Sequence, residues 1–364
     1  MSADGGRQGH DLVLNLQYLR FIAAALVVLD HGVAVSSRFI EHGQQFHIGA
    51  IGVDIFFIIS GFIMVYITSN GPVSTRSFFL GRIGRVGPPY WIMNFALAAV
   101  IMIMPTLMPA SKLDPVHFTL SNLFIAAPHP VHDIVSPFML VGWTLNYEFL
   151  FYSLFALAMA FSHKWRAELV AVVFFLFALA GVLLPLGPVG RFYTDPIVLE
   201  FAMGIAIALF CRKIQVGAPV AAILLVLGVA GVIANGIYLP YAFYWDRLIY
   251  WGVPSMLIVA AAVFLDRRGL SLNSPGLRLL GDASYSIYLT HFAIVHVAVR
   301  MLGRIPALKG DVWLSSAILL AASVAGGVAF HLLVEKPAIR MFRRLVGRLK
   351  ARPASSGVQP PLPS

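Results

Sequence analysis

Two ionisable side chains in the first apolar segment of the chain have the spacing of a shared helical face. Arg20 and His31 are eleven residues apart, and eleven steps of 100° return to nearly the same side of an α-helix while rising about 16 Å. An ionisable group in an apolar helix is costly unless it faces a cavity, so each is a candidate functional residue. A histidine in such a place can act as a general base. The alternative is that Arg20 extends to headgroups and His31 is a hydrogen-bonded packing residue.

Three carboxylates are candidates to orient His31. Asp54, Glu148 and Glu200 each lie near the end of an apolar segment, at the depth inferred for His31. A carboxylate that accepts a hydrogen bond from imidazole fixes its tautomer and stabilises its protonated form. Glu148, at the end of WTLNYE (143–148), is the preferred partner, and the other two are weaker candidates. The alternatives are that Glu148 only ties helices together and that Asp54 is a solvated terminal carboxylate.

Two arginines follow the second apolar segment. Arg82 and Arg85 are three residues apart, which places them on one face of a helix, and the segment is interpreted as a connection on the basic side of the membrane. Paired guanidinium groups bind phosphate in a bidentate manner. The pair is therefore a candidate phosphate site, with ordinary positive charge next to a membrane as the alternative.

The ninth apolar segment contains a run of polar side chains. Ser284, Tyr288 and His291 belong to a polar stretch within an otherwise apolar span. We predict that they support a site, with plain hydrogen bonding between helices as the alternative for the hydroxyls.

The elements that must position these residues are membrane helices. Hydrophobic residues make up 59% of the 364 residues and charged residues 12%, whereas a soluble domain carries about 25% charged residues. Apolar stretches of spanning length occur near residues 13–36, 50–69, 88–104, 142–162, 168–186, 195–210, 218–236, 247–265, 281–301 and 313–334. The sequence therefore predicts an all-α polytopic membrane bundle of about ten transmembrane helices. The one cysteine, Cys211, excludes an internal disulfide and a cysteine-based metal site.

The basic residues are distributed unevenly between the connections. Most of them fall in the set of connections that lies on the side of both termini, which the positive-inside rule assigns to the cytoplasm. This placement accounts for most of the net charge of +10 without nucleic acid. The prolines of 105–141 predict an irregular loop or cap, and Pro337 is expected to end the tenth helix. We predict one integral-membrane domain over 1–340 and a cytoplasmic tail over 341–364 that is first basic and then rich in proline and serine.

The ordered set of motifs resembles the membrane-bound acyltransferase type 3 family, especially its exopolysaccharide-modifying O-acetyltransferases. The motifs are Arg20-x10-His31, GVDIFFIISGF (52–62), Arg82-x-x-Arg85, WTLNYE (143–148), SYSIYLTH (284–291) and EKP (335–337). The resemblance marks Arg20, His31, Arg82 and Arg85 as functionally important, with Glu148 as a further motif position. One departure is that the arginine segment is less basic than is common in the family, with Gly81 and Gly84 between the basic residues.

The resemblance implies an enzyme of the inner membrane. It implies a cytoplasmic acyl-CoA donor, acetyl-CoA by default, and a hydroxyl acceptor on an extracytoplasmic or lipid-linked saccharide, with no metal. We expect Arg82, Arg85 and Arg20 to bind the donor, His31 to act as the catalytic base or transient acyl acceptor, and Glu148 to orient it. The alternative is a transporter or flippase of a glycan precursor or small metabolite, although the sequence has neither clear inverted repeats nor paired broken helices.

Overall fold

The fold is a bundle of long helices joined by short connections. The computed structural model describes residues 13–37, 47–69, 71, 73–104, 113–130, 134–238, 244–302, 305 and 311–351. Within these ranges the helices are α1 (Leu14–Ser36), α2 (Ile51–Ser69), α3 (Thr75–Ile103), α4 (Pro115–Asn122), α5 (Trp143–Phe161), α6 (Arg166–Leu183), α7 (Pro188–Tyr193), α8 (Leu199–Lys213), α9 (Ala218–Tyr238), α10 (Trp245–Arg247), α11 (Val253–Arg267), α12 (Pro275–Leu302), α13 (Val312–Phe330) and α14 (Lys336–Ala351). The described residues contain no β-strand.

The distribution of polarity is that of a protein in lipid. Nine helical stretches in the described ranges are long and apolar enough to cross a membrane, and α12 is a further helix of 28 residues at the ninth predicted span. Large apolar side chains such as Phe175 and Val226 are exposed on the outside, while Asp54, Glu200 and His291 are fully buried. The prediction of a polytopic helical membrane bundle is confirmed. The cytoplasmic placement of both termini stays a prediction.

Helix α1 lies at the centre of the bundle, where it packs against α2, α11, α12 and α13. It runs without a break, so Arg20 and His31 belong to one helix, as predicted.

Helices α2 and α8 approach each other through two glycines. A Cβ on Gly61 would lie 2.1 Å from the Phe201 carbonyl oxygen, and a Cβ on Gly204 would lie 2.0 Å from the Ile58 carbonyl oxygen. Glycine at both positions allows backbone contact, and the rings of Phe57 and Phe201 stack beside it with centroids 4.6 Å apart.

Two features of the predicted topology are corrected by the structure. The segment with Arg82 and Arg85 is not a connection but the first half of α3, which continues through Pro88 and Pro89. Membrane helices tolerate proline where neighbouring helices pack around it. Here α5, α12 and α14 contact α3, and the Tyr285 hydroxyl of α12 donates to the Val86 carbonyl at 2.8 Å.

Pro337 does not end the last helix, in contrast to the prediction. A π-helical turn (His331–Glu335) follows α13 and leads directly into α14. The turn places Pro337 at the second position of a new helix, where a missing amide hydrogen costs least. Residues 341–351 of the predicted tail are thus helical, and 352–364 lie outside the described residues.

Candidate active site

A cavity of about 310 Å³ lies between α1, α2, α3, α5 and α12. Its wall is apolar apart from a few convergent polar groups, which is the usual composition of a small-molecule site. The polar side chains that line it are Gln17, Arg20, Ser60, Tyr66, Arg82, Arg85, Thr144, Glu148, Tyr152, Tyr285 and Tyr288. Four of the predicted functional residues, Arg20, Arg82, Arg85 and Glu148, therefore share one cavity, together with Tyr288.

The three arginines of the cavity are held close together without a countercharge in contact. Arg20 is buried, and its Nη1 donates a long hydrogen bond of 3.4 Å to Gln17. The charge of Arg85 acts on both Arg20 and Arg82, and the Arg82 Nε is buried with no hydrogen-bond partner among the described residues. None of the three forms an ion pair with a described carboxylate. Such a cluster is complementary to a ligand that carries several negative charges.

Glu148 lies in the same cavity, but it does not partner His31 there. Its Oε1 accepts a hydrogen bond from Ser60 at 2.8 Å and its Oε2 accepts one from Tyr152 at 2.9 Å. Its charge acts on Arg20 and Arg82. No hydrogen bond joins Glu148 to His31 among the described residues; the carboxylate is instead held by the Ser60 and Tyr152 hydroxyls.

His31 is oriented by its own helix. Its Nδ1 is 2.9 Å from the Val27 carbonyl oxygen, and since a carbonyl can only accept, Nδ1 carries the proton in the neutral ring. The Nε2 atom is then left with the lone pair that a general base needs. A backbone carbonyl one turn earlier thus supplies the orientation that was predicted to come from a carboxylate.

His291 packs directly against His31, with ring centroids 5.0 Å apart in an edge-to-face arrangement. Its Nδ1 is 2.5 Å from the Tyr288 carbonyl oxygen, and its buried Nε2 has no partner in the described part of the chain. The two imidazoles therefore form a pair with the same tautomer. The structure brings together His31 and one predicted supporting residue.

Tyr288 stands between the cavity and the histidine pair. Its side chain lines the cavity, and its ring centroid is 5.6 Å from that of His291. Its hydroxyl donates to the Val141 carbonyl at 2.8 Å and lies 3.1 Å from the Thr144 hydroxyl. His31 itself does not line the cavity, so the histidine pair lies just beyond the wall that Tyr288 forms.

Asp54 belongs to a separate buried cluster. Its Oδ2 forms an ion pair of 2.7 Å with Arg247, whose charge also acts on Glu200 and Asp195. Both carboxylate oxygens of Glu200 are buried and lack a hydrogen-bond partner among the described residues. Asp54 is thus paired with Arg247, and neither Asp54 nor Glu200 forms a described contact with His31.

Ser284 lies away from the cavity, as a fully buried side chain whose hydroxyl has no partner within the described ranges. Its predicted supporting role stays a prediction.

Several polar contacts were missed by the sequence analysis. Tyr152 is four residues after Glu148, and His331 is four residues before Glu335, so helical spacing was a usable signal for both. In the second case the His331 Nδ1 is 2.7 Å from the Glu335 carboxylate, which also accepts a hydrogen bond from Ser286 at 2.5 Å. No spacing rule indicates the pairing of Asp54 with Arg247, which are 193 residues apart. Among the described residues, no group of three metal-ligating side chains is brought together.

Comparison with known proteins identifies the family. The model of the family described as "Acyltransferase domain" matches residues 13–332. The chain is 33% identical over 319 residues to "Exopolysaccharide production protein ExoZ" of Rhizobium meliloti (strain 1021), covering 86% of this chain and 97% of that protein. It is 28% identical over 376 residues to "Acyltransferase MdmB" of Streptomyces mycarofaciens, covering 91% of this chain and 92% of that protein. No solved structure matches the chain. The chain therefore belongs to the acyltransferase domain family, and the prediction of a membrane acyltransferase is confirmed.

Proposed function

We propose that this enzyme transfers an acetyl group from acetyl-CoA to a hydroxyl of an extracytoplasmic or lipid-linked saccharide. The observation that carries the proposal is the cavity that leads from three arginines, none in an ion pair with a described residue, to Tyr288. The Tyr288 ring contacts His291, which packs against His31. Such an arrangement suits a donor with anionic groups at one end and a reactive thioester at the other. The saccharide acceptor is supported by the similarity to an exopolysaccharide production protein.

The donor phosphates lie against Arg82 and Arg85 at the cytoplasmic end in this proposal. The pantetheine arm passes Arg20 and Glu148 along the apolar wall of the cavity and brings the thioester toward Tyr288. Arg20 and His31 are separated by about 16 Å along α1, so an extended arm is needed to connect the anion site with the base. Glu148 does not act on His31 here, but it limits the positive charge of the cavity and holds Ser60 and Tyr152 in place.

His31 is the proposed general base. Its Nε2 accepts the proton of the saccharide hydroxyl while the oxygen attacks the thioester carbonyl. The acyl–oxygen bond forms, the acyl–sulfur bond breaks, and the proton passes to the departing CoA thiolate. The reaction is balanced without a metal or an external oxidant. Its products are the O-acetylated saccharide and CoA.

The test is acetyl transfer and CoA binding with protein reconstituted in vesicles. An Arg82→Gln/Arg85→Gln variant should bind CoA at least tenfold more weakly, because each charge-assisted phosphate contact is worth about 1.5–3 kcal/mol. Arg268→Gln is the matched control, since that side chain is exposed and bonds to the Val216 carbonyl. Wild-type CoA affinity in the double variant, or no CoA binding by the wild type, would contradict the proposed donor and leave transport of a glycan precursor as the better function.

A further inference from the structure

Helix α14 packs against the arginine segment of α3, although it lies beyond the residues that the family model matches. The contact is made where Gly84 faces Phe342, so closely that a Cβ on Gly84 would lie 2.6 Å from the Phe342 Cδ1. The glycine between the two arginines therefore accommodates an aromatic side chain of α14.

The same contact brings a further basic side chain near Arg82. Arg343 follows Phe342 in α14, and its charge acts on Arg82. Arg344, the next residue, is 200° around the helix from Phe342 and so points away from α3. Arg343 is 100° around the helix from the side chain that contacts α3, and Arg344 is twice as far.

The four arginines of this region differ in how far their side chains are exposed. Arg20 is buried, Arg82 and Arg85 are half-buried, and Arg343 is exposed. None of the four is in an ion pair with a described carboxylate. Like charges are held together in this way at a net cost unless a polyanion binds them.

We propose that Arg343 binds the 3′-phosphate of the donor's CoA moiety. This inference rests on the proposed donor. In CoA the groups follow in the order thiol, pantetheine arm, diphosphate and ribose 3′-phosphate. A donor that enters thioester first leaves its 3′-phosphate outermost, beside the outermost arginine, while Arg82 and Arg85 meet the diphosphate. Helix α14 thus supplies a further arginine to the donor site, beyond Arg82 and Arg85 of α3.

The experiment compares the affinities of CoA and dephospho-CoA, which lacks the 3′-phosphate, for purified full-length protein in neutral detergent. Wild type should bind CoA about five- to tenfold more tightly than dephospho-CoA, as expected for one charge-assisted contact at an exposed site. Arg343→Gln should reduce that ratio to about one by weakening CoA binding alone. Arg344→Gln, with the same change of charge, should keep the wild-type ratio. Anionic lipid is absent, so a lipid headgroup cannot mask the effect.

Three outcomes separate this inference from the proposed function. Equal affinities of wild type for the two ligands, or an unchanged ratio in Arg343→Gln, would overturn the assignment of Arg343. If Arg82→Gln/Arg85→Gln still loses CoA in that case, the proposed donor stands. If wild type binds neither ligand, both proposals fall.

Discussion

Replacing Glu148 by glutamine tests whether this carboxylate acts on the arginines of the cavity or on His31. If Glu148 acts on the arginine cavity rather than on His31, Glu148→Gln removes a negative charge that repels the donor. A cavity of about 310 Å³ is roughly 8 Å across, and two unit charges at that separation interact by about 2 kcal/mol at an effective dielectric constant of about 20. If a donor phosphate comes this close to Glu148, CoA should bind up to about 30-fold more tightly, and a larger separation gives a smaller effect.

The rate of acetyl transfer should change little in the same variant. Glu148 has no hydrogen bond to His31, so kcat at saturating donor should stay within about tenfold of wild type, whereas loss of general-base function costs about 10²–10⁴-fold. Tyr152→Phe is the matched control: it removes one hydrogen bond to Glu148 but keeps the charge, so it should not tighten CoA binding. The assays are isothermal titration with CoA and single-turnover transfer from labelled acetyl-CoA. A 10²-fold loss of kcat with unchanged CoA affinity would refute this reasoning and restore Glu148 as the partner of His31.

Two further predictions concern the free energy of unfolding, measured by thermal unfolding in detergent. Arg247→Gln should lower it by about 3–5 kcal/mol, because it leaves Asp54 and Glu200 buried without their cation. Asp54→Asn should lower it less, since Glu200 keeps Arg247 as its countercharge, and equal effects of the two variants would contradict this account of the cluster. Gly204→Ala should lower the free energy of unfolding by about 1–3 kcal/mol, because the new Cβ overlaps the backbone of α2. Gly81→Ala is its control, with nothing within 4 Å of the added Cβ, and should be neutral or stabilising. No destabilisation by Gly204→Ala would mean that helix α2 yields to the added methyl group, which would contradict this account of the contact.

The fold was largely predictable from the sequence, because spanning length and low charge leave few alternatives to a helical membrane bundle. The exceptions lie where proline was expected to mark the end of a helix. Pro88 and Pro89 sit inside α3, and Pro337 begins α14 instead of ending α13. Pro88 and Pro89 lie in a helix that α5, α12 and α14 contact, and Pro337 follows a π turn. Neither context can be deduced from the local sequence.

The residues of the candidate site could largely be predicted from the sequence, but the contacts between their side chains could not. Helical spacing placed Arg20 and His31 on one helix and joined Arg82 to Arg85, and the structure retains both relations. The partner of His31 was not predictable by matching depth in the membrane, because depth does not specify rotation about a helix axis. Glu148 is at a suitable height but is bound by Ser60 and Tyr152.

The most direct measurement of the proposed chemistry combines CoA binding and acetyl transfer in one preparation of His31→Gln. The substitution removes the base, while the cavity that holds the arginines does not include this side chain. CoA should therefore bind within about twofold of wild type while transfer falls by about 10²-fold or more. His163→Gln is the control, since that histidine also bonds to a backbone carbonyl, at 3.1 Å from Val73, but does not line the cavity. Near-wild-type transfer by well-folded His31→Gln would contradict the assignment of His31 as the catalytic base.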